Sequence, residues 1–189
     1  PLKYWDVNVC GTKNLLEIMK EYECYSIVFS SSATIYGLTN SVPISEDQKV
    51  SPINPYGKTK VAIENMLCDL FKSDMNKWKI CSLRYFNPVG AHESGLIGEN
   101  PNDIPNNLMP FVLKVGINNN TEHNLGDQFD KLNIFGNDYS TIDGTCQRDF
   151  IHVVDIAKGH LAAMNKINNL NGYNIFNLGT GNPISVLEM

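Results

Sequence analysis

Two short apolar runs, Tyr25–Phe29 and Lys79–Phe86, constrain the fold most. The first ends in three serines, Ser30 to Ser32, which read as the opening of a loop, and the second at the turn-forming Asn87-Pro88-Val89-Gly90. Runs this short, apolar and bounded by polar or turn residues, read as strands buried on both faces. Between them Ile63, Met66, Leu67, Leu70 and Phe71 recur at i, i+3, i+4, i+7 and i+8, the stripe of a helix packed on a core. Pro55 stands where that helix can begin, because a first-turn residue needs no N–H. A strand, a helix and a second strand in that order make a crossover unit with parallel strands. An amphipathic pattern over Val9–Tyr22, with Leu15, Leu16, Ile18 and Met19, precedes the first strand. The expected fold class is α/β, a Rossmann-type doubly wound parallel sheet. Ligands of such sheets lie beyond the carboxyl ends of the strands, where the serines and Asn87 both fall.

From Gly90 to about Gly144 the texture changes: glycine, proline and asparagine rise and periodicity weakens. Leu108–Gly116 reads as a helix and Lys131–Phe135 as a short strand. Ile117–Gln128, with Asn118-Asn119-Asn120, reads as an exposed loop. Arg148–His152 reads as a strand, Asp155 as the N-cap of a following helix, and Tyr173–Leu178 as an alternating strand ending at a Gly179-Thr180-Gly181 turn. The resulting division is 1–89, second half of a Rossmann domain with its first strands missing; 90–150, part of a smaller α+β substrate domain; 151–181, a helix and strand returning to the first domain; and 182–189, the start of a further region. Pro1 is no initiator, and Ser185–Met189 looks like the opening of another helix, so a piece of a longer protein is expected.

A net charge of −5 over 189 residues argues against nucleic acid as a partner, which would call for a basic stripe. No apolar run has the length of a membrane span. The five cysteines are scattered and odd in number, as expected of free thiols in a reducing compartment; the cytosol is expected. Cys10 and Cys68 read as small apolar fillers. No metal is expected, since His92, His123, His152 and His160 show no ligand spacing and read as capping, packing or surface residues.

Chemistry enters at Tyr56 and Lys60. Four residues apart on a helix, they lie on one face a turn from each other. A phenol titrates near 10, too high for a base at neutral pH, and a nearby cation lowers it by about 1–3 units. With a hydroxyl from Ser32, the pair would form a relay that takes a proton from a substrate alcohol, which suits oxidation of a carbinol by hydride loss. A Tyr-x-x-x-Lys spacing alone is weak evidence and equally describes a surface tyrosine beside a solvated lysine. Its neighbours decide.

Those neighbours are Phe29–Gly37 (FSSSATIYG), Asn54–Lys60 (NPYGKTK), Leu83–His92 (LRYFNPVGAH), Ile104–Pro110 (IPNNLMP), Ile134–Tyr139 (IFGNDY), Gly144–Asp155 (GTCQRDFIHVVD) and Phe176–Gly181 (FNLGTG). In this order and over nearly the whole chain, they resemble the UDP-glucose 4-epimerases (UDP-galactose 4-epimerases) of the extended short-chain dehydrogenase/reductase family. The resemblance implies NAD as cofactor, UDP-glucose and UDP-galactose as substrates, and a homodimer of the full-length protein. Hydride would leave C4 of the sugar, giving a 4-keto sugar that is re-reduced on its other face.

Residue by residue, the resemblance makes Ser32 the catalytic hydroxyl, Tyr56 the base and Lys60 the lysine that lowers the tyrosine's pKa and holds the nicotinamide ribose. Ser30, Tyr85, Phe86 and, less directly, Asn8 fall on the cofactor side. Asn87, Asn107 and Leu108 match positions on the UDP-sugar, Phe135 one near the uracil, and Arg148 one that grips the diphosphate, apt for a planar guanidinium. Related dehydratases and decarboxylases place a carboxylate just after the hydroxyl; Ala33 and Thr34 offer none, which favours epimerisation. A non-catalytic nucleotide-sugar sensor is the alternative of a different class, but a sensor has no need of serine, tyrosine and lysine together. The glycine-rich turn that receives a dinucleotide's pyrophosphate is not in this sequence, and Gly179-Thr180-Gly181 lies too late to replace it. The sequence as it stands is therefore expected to bind no NAD and turn nothing over on its own.

Overall fold

The computed structural model describes residues 1–39, 42–101, 104–105, 107–120, 125–126, 129–170 and 172–189. The chain opens on one continuous helical rod: α1 (Leu2–Tyr4), a π-helical segment (Trp5–Cys10) and α2 (Gly11–Glu21). Strand β1 (Ser26–Ser32) follows, then a 3₁₀ turn over Ala33–Tyr36 and helix α3 (Pro55–Ser73). Next come β2 (Lys79–Tyr85), β3 (Asn87–Val89), α4 (Leu108–Asn120), β4 (Gln147–Arg148), β5 (Phe150–His152), α5 (Val153–Lys166), β6 (Tyr173–Leu178) and β7 (Ile184–Ser185). Strands β1, β2 and β6 form a parallel sheet in the order β1-β2-β6. β3 pairs with β5 in parallel, and β4 with β7 antiparallel.

The pleat of β2 sorts the core into two layers. Ile80 joins Leu16, Phe29, Ile63, Leu67 and Trp78 under α2 and α3. Its neighbours Cys81 and Leu83 pack with Ala163 and Ile167 of the α5 side. Successive strand residues point to opposite faces, so a strand covered by helices on both sides is apolar at almost every position. This is why Lys79–Phe86 shows no alternation, and it makes the sheet doubly wound as expected.

Several expectations change. The three serines continue β1 instead of opening a loop, because distant partners satisfy the Ser30 and Ser31 hydroxyls. Lys131–Phe135 forms no strand; nothing pairs with it among the described residues. Asn118 to Asn120 belong to α4, their amides bonded to Asp130 and to the Gly116 carbonyl, while residues 121–124, 127 and 128 of that expected loop lie outside the described residues. The cap of α5 is His152, whose ring accepts from the Val154 N–H; Asp155 sits inside the first turn and pairs with Lys158. Cys10 is exposed and fills no core. Ser185 and Glu188 exchange the two hydrogen bonds of a capping box, but a turn follows there, not a helix.

Candidate functional site

Asn54 sets where α3 starts. Its backbone is extended and its side chain accepts the Gly57 N–H at 2.7 Å, the N-cap arrangement, with Pro55 in the first turn. Tyr56 thus sits at the very start of the helix, next to the carboxyl end of β1. Gly37 closes the turn that leads away from the serines. Its φ is +68°, and a Cβ there would run into the Ser51 carbonyl, so only glycine fits.

Ser32, Tyr56 and Lys60 come together as expected. Ser32 is buried; its hydroxyl bonds Thr34 Oγ1 and accepts the Thr34 N–H, and it stands near enough to the Tyr56 phenol to draw that group's pKa down. Lys60 Nζ donates to the Ser30 carbonyl at 2.9 Å and lies 5.0 Å from the Phe29 ring centre and 5.5 Å from that of Tyr56. Burial holds the Lys60 pKa below the usual lysine range. The electrostatics of Tyr56 depart from expectation. Burial first, then Tyr85 and Tyr4, push the phenol above its usual value, and Ser32 alone pulls it down. The Lys60 ammonium spends a donor on the Ser30 carbonyl of β1.

The cofactor-side residues divide. Tyr85 ends β2 in register with Ser32. Phe86 follows it, within 2.9 Å of where a Gly179 Cβ would stand, so Gly179 gives that ring room. Asn8 does not present a free amide: it donates to Thr59 Oγ1 at 3.0 Å, and Thr59 in turn donates to the Tyr56 carbonyl. The asparagine braces the turn that carries Tyr56.

Asn87, Asn107, Leu108, Phe135 and Arg148 line one cleft of about 290 Å³, with Pro88, Val89, Ile134 and Val186 among its walls. Phe135 is 88% exposed. Arg148 donates to the Gln147 carbonyl and Cys146 Sγ, and Asn107 to Glu99. Because Asn87 directly follows Phe86, the cleft begins where the sheet edge ends. Asp149 accepts from the Thr180 and Gly181 N–H groups and so supports the fold beside the cleft.

Three contributors were not legible as site residues. His160 Nε2 lies 3.0 Å from Ser30 Oγ, with Nδ1 on the Ile156 carbonyl. Tyr4 sets its ring edge-on to Tyr56 at 6.0 Å. Glu64, one turn beyond Lys60, accepts from Ser31. Only Glu64 carried a signal, as the next polar position of the Tyr56–Lys60 face.

Residues 1–179 match the NAD dependent epimerase/dehydratase family. The chain belongs to that family. It is 51% identical over 189 residues to the UDP-glucose 4-epimerase of Bacillus subtilis, covering all of this chain and 53% of that protein. A UDP-glucose 4-epimerase of Dictyostelium discoideum is 53% identical over 190 residues, with 52% of its length covered. Among solved structures, the Bifidobacterium longum UDP-glucose 4-epimerase in complex with NAD+ and UDP superposes with a TM-score of 0.89 at 46% identity, covering the whole of this chain and 53% of that one. The fold is accordingly Rossmann-like, and the chain spans about half the length of the curated relatives it matches.

The buried phenols give a pH expectation. Tyr36, Tyr56 and Tyr173 are all raised above 10.0, burial being the first cause in each. A group with a raised folded pKa contributes stability that is fully present below its unfolded value and is lost as pH rises through the folded one. Thermal unfolding followed from pH 8 to 12 is expected to show a falling Tm from about pH 10 upward. A Tm flat across that range would contradict the burial of these phenols.

Proposed function

We propose that the natural protein carrying this sequence interconverts UDP-glucose and UDP-galactose by oxidation and re-reduction at C4 of the sugar. The observation that carries this reading is the grouping of Ser32, Tyr56 and Lys60 at the carboxyl edge of a parallel sheet, the Lys60 ammonium 5.5 Å from the Tyr56 ring centre, with the cleft of Asn87 and Arg148 adjoining. Identity of about half to UDP-glucose 4-epimerases along the whole chain supports it.

The residues present fit the nicotinamide end of NAD. Lys60 engages one of its three N–H donors with Ser30, leaving two for ribose hydroxyls, and Phe86 offers an apolar wall. NAD, when bound, accepts and returns the hydride. Tyr56 takes the proton from the C4 hydroxyl and gives it back, and Ser32 orients both oxygens. A positively charged nicotinamide would add the cation that Tyr56 lacks here, lowering the phenol toward the working range. Asn87 and Asn107 offer amides to sugar hydroxyls, Phe135 an open ring face to the uracil, and Arg148 a guanidinium to the diphosphate. Residues 90–150 then form the nucleotide-sugar half of the site. Pairing of two copies through α2 and α3 belongs to the same reading, supported by the exposed Leu15 and Ile18. So does a cytosolic location, supported by five free cysteines.

The test is incubation of the natural full-length protein with UDP-galactose. UDP-glucose is expected, without net consumption of cofactor. Release of a 4-keto-6-deoxy sugar or of carbon dioxide would replace epimerisation by the chemistry of a relative, and binding without turnover would leave a sensor. Arg148→Ala is expected to weaken UDP binding about 10–100-fold in calorimetric titration, the equivalent of one or two charge-assisted hydrogen bonds.

A further inference from the structure

We propose that Glu64, fixed by Arg84, is a positioning residue: it clamps Ser31 and so sets where the Ser30 carbonyl and the Ser32 hydroxyl stand against Lys60 and Tyr56. The proposal rests on the catalytic reading above.

Three successive serines of β1 meet three residues of α3 spaced i, i+4, i+8. Ser32 stands near Tyr56 and draws its pKa down, the Ser30 carbonyl receives Lys60, and Ser31 Oγ donates to Glu64 Oε1 at 2.5 Å. The pleat explains the division of labour. Ser30 and Ser32 face one side and Ser31 the other, so the middle serine can be gripped without obstructing its neighbours.

The grip is itself held. Arg84 Nε and Nη2 donate to the two Glu64 oxygens at 3.0 and 2.6 Å, and Nη1 donates to Tyr36 Oη and the Glu46 carbonyl, each at 3.0 Å. Tyr36 Oη donates to Asn177 Oδ1 at 2.7 Å. Ser31, Arg84 and Asn177 occupy one register row across β1, β2 and β6, directly behind the row of Ser32 and Tyr85. Side chains of Glu64 and Arg84 are 8% and 4% exposed, and among the described residues no buried side-chain nitrogen or oxygen lacks a partner.

A buried ion pair is a poor source of stability, since an apolar pair of the same volume often serves as well. Its advantage is directional. Apolar packing tolerates a slide of β1 along α3, whereas a bidentate pair with a serine on its rim tolerates none.

Ser31→Ala in the full-length protein removes the clamp and leaves the ion pair in place. The expected result is a kcat lower on the order of 10–100-fold, the cost of a displacement of about 1 Å near the reacting groups, with KM for UDP-galactose within about twofold. The Tyr56 midpoint is read without turnover, as the phenolate absorbance difference between each variant and the same variant carrying Tyr56→Phe. It should rise by about one pH unit. Ser31→Thr, which keeps the hydroxyl, should restore both values, and Ser31→Cys, a weak donor, repeats the test should the alanine variant not fold. An unchanged Tyr56 midpoint alongside a lowered Tm would make the pair merely structural and overturn the proposal. Absence of epimerisation in the wild type would overturn the catalytic reading instead, and the phenol titration would still judge the clamp.

Discussion

Tyr56→Phe is expected to lower kcat for UDP-galactose by about 10²–10⁴-fold, the usual range for a positioned acid–base group, while UDP affinity stays within about twofold. Tyr56 is half-buried at the sheet edge near Ser32, whereas Arg148 and Phe135 lie in the cleft beyond Asn87. Losing one oxygen at the edge therefore removes proton transfer and spares nucleotide contacts. Calorimetry and a coupled assay on the same preparation separate the two. A variant that lost binding but kept turnover would place the chemistry elsewhere.

Arg84→Leu is expected to destabilise the fold by about 3–5 kcal/mol, measured by denaturant unfolding of the full-length protein. The guanidinium makes every charge-assisted contact to Glu64 apart from that of Ser31 and also serves Tyr36 and the Glu46 carbonyl. Its removal strands a carboxylate in the core. Burial lowers the Arg84 pKa, and the Glu64 and Tyr36 partners more than reverse that, holding it above its ordinary value; the guanidinium keeps its charge. Replacing Glu64 by leucine as well should recover most of the loss. A single substitution costing under about 1 kcal/mol would mean that the carboxylate finds water.

Periodicity carried the architecture in the sequence, and local composition misled where long-range partners decide. Ile63, Leu67 and Phe71 announce α3 because a helix repeats its inward face. Lys79–Phe86 announces β2 because both faces are covered. Ser30 to Ser32 look like a loop, since Ser30 and Ser31 find their partners in His160 and Glu64, which no local window contains. Lys131–Phe135 has strand composition and no strand to pair with. At the site, residue types and motif order brought Ser32, Tyr56 and Lys60 together correctly, and gathered Asn87, Asn107, Leu108, Phe135 and Arg148 on one cleft. The direction of the Tyr56 pKa was beyond reach, because it depends on how deeply the ring is buried and where the Lys60 ammonium points. The contact of Asn8 with Thr59 was beyond reach for a similar reason, since the two stand 51 residues apart.

The π-helical segment Trp5–Cys10, where the Gly11 N–H reaches back to Asp6, puts the two ends of that rod out of phase. An α-helix advances about 100° per residue, and a π turn holds one residue more than an α turn. Leu16 can therefore face the core while Tyr4 and Asn8 both look toward α3. Shortening the segment by one residue would let the rod relax to uniform α geometry, and the aromatic edge now lying against Tyr56 would rotate roughly a quarter-turn away.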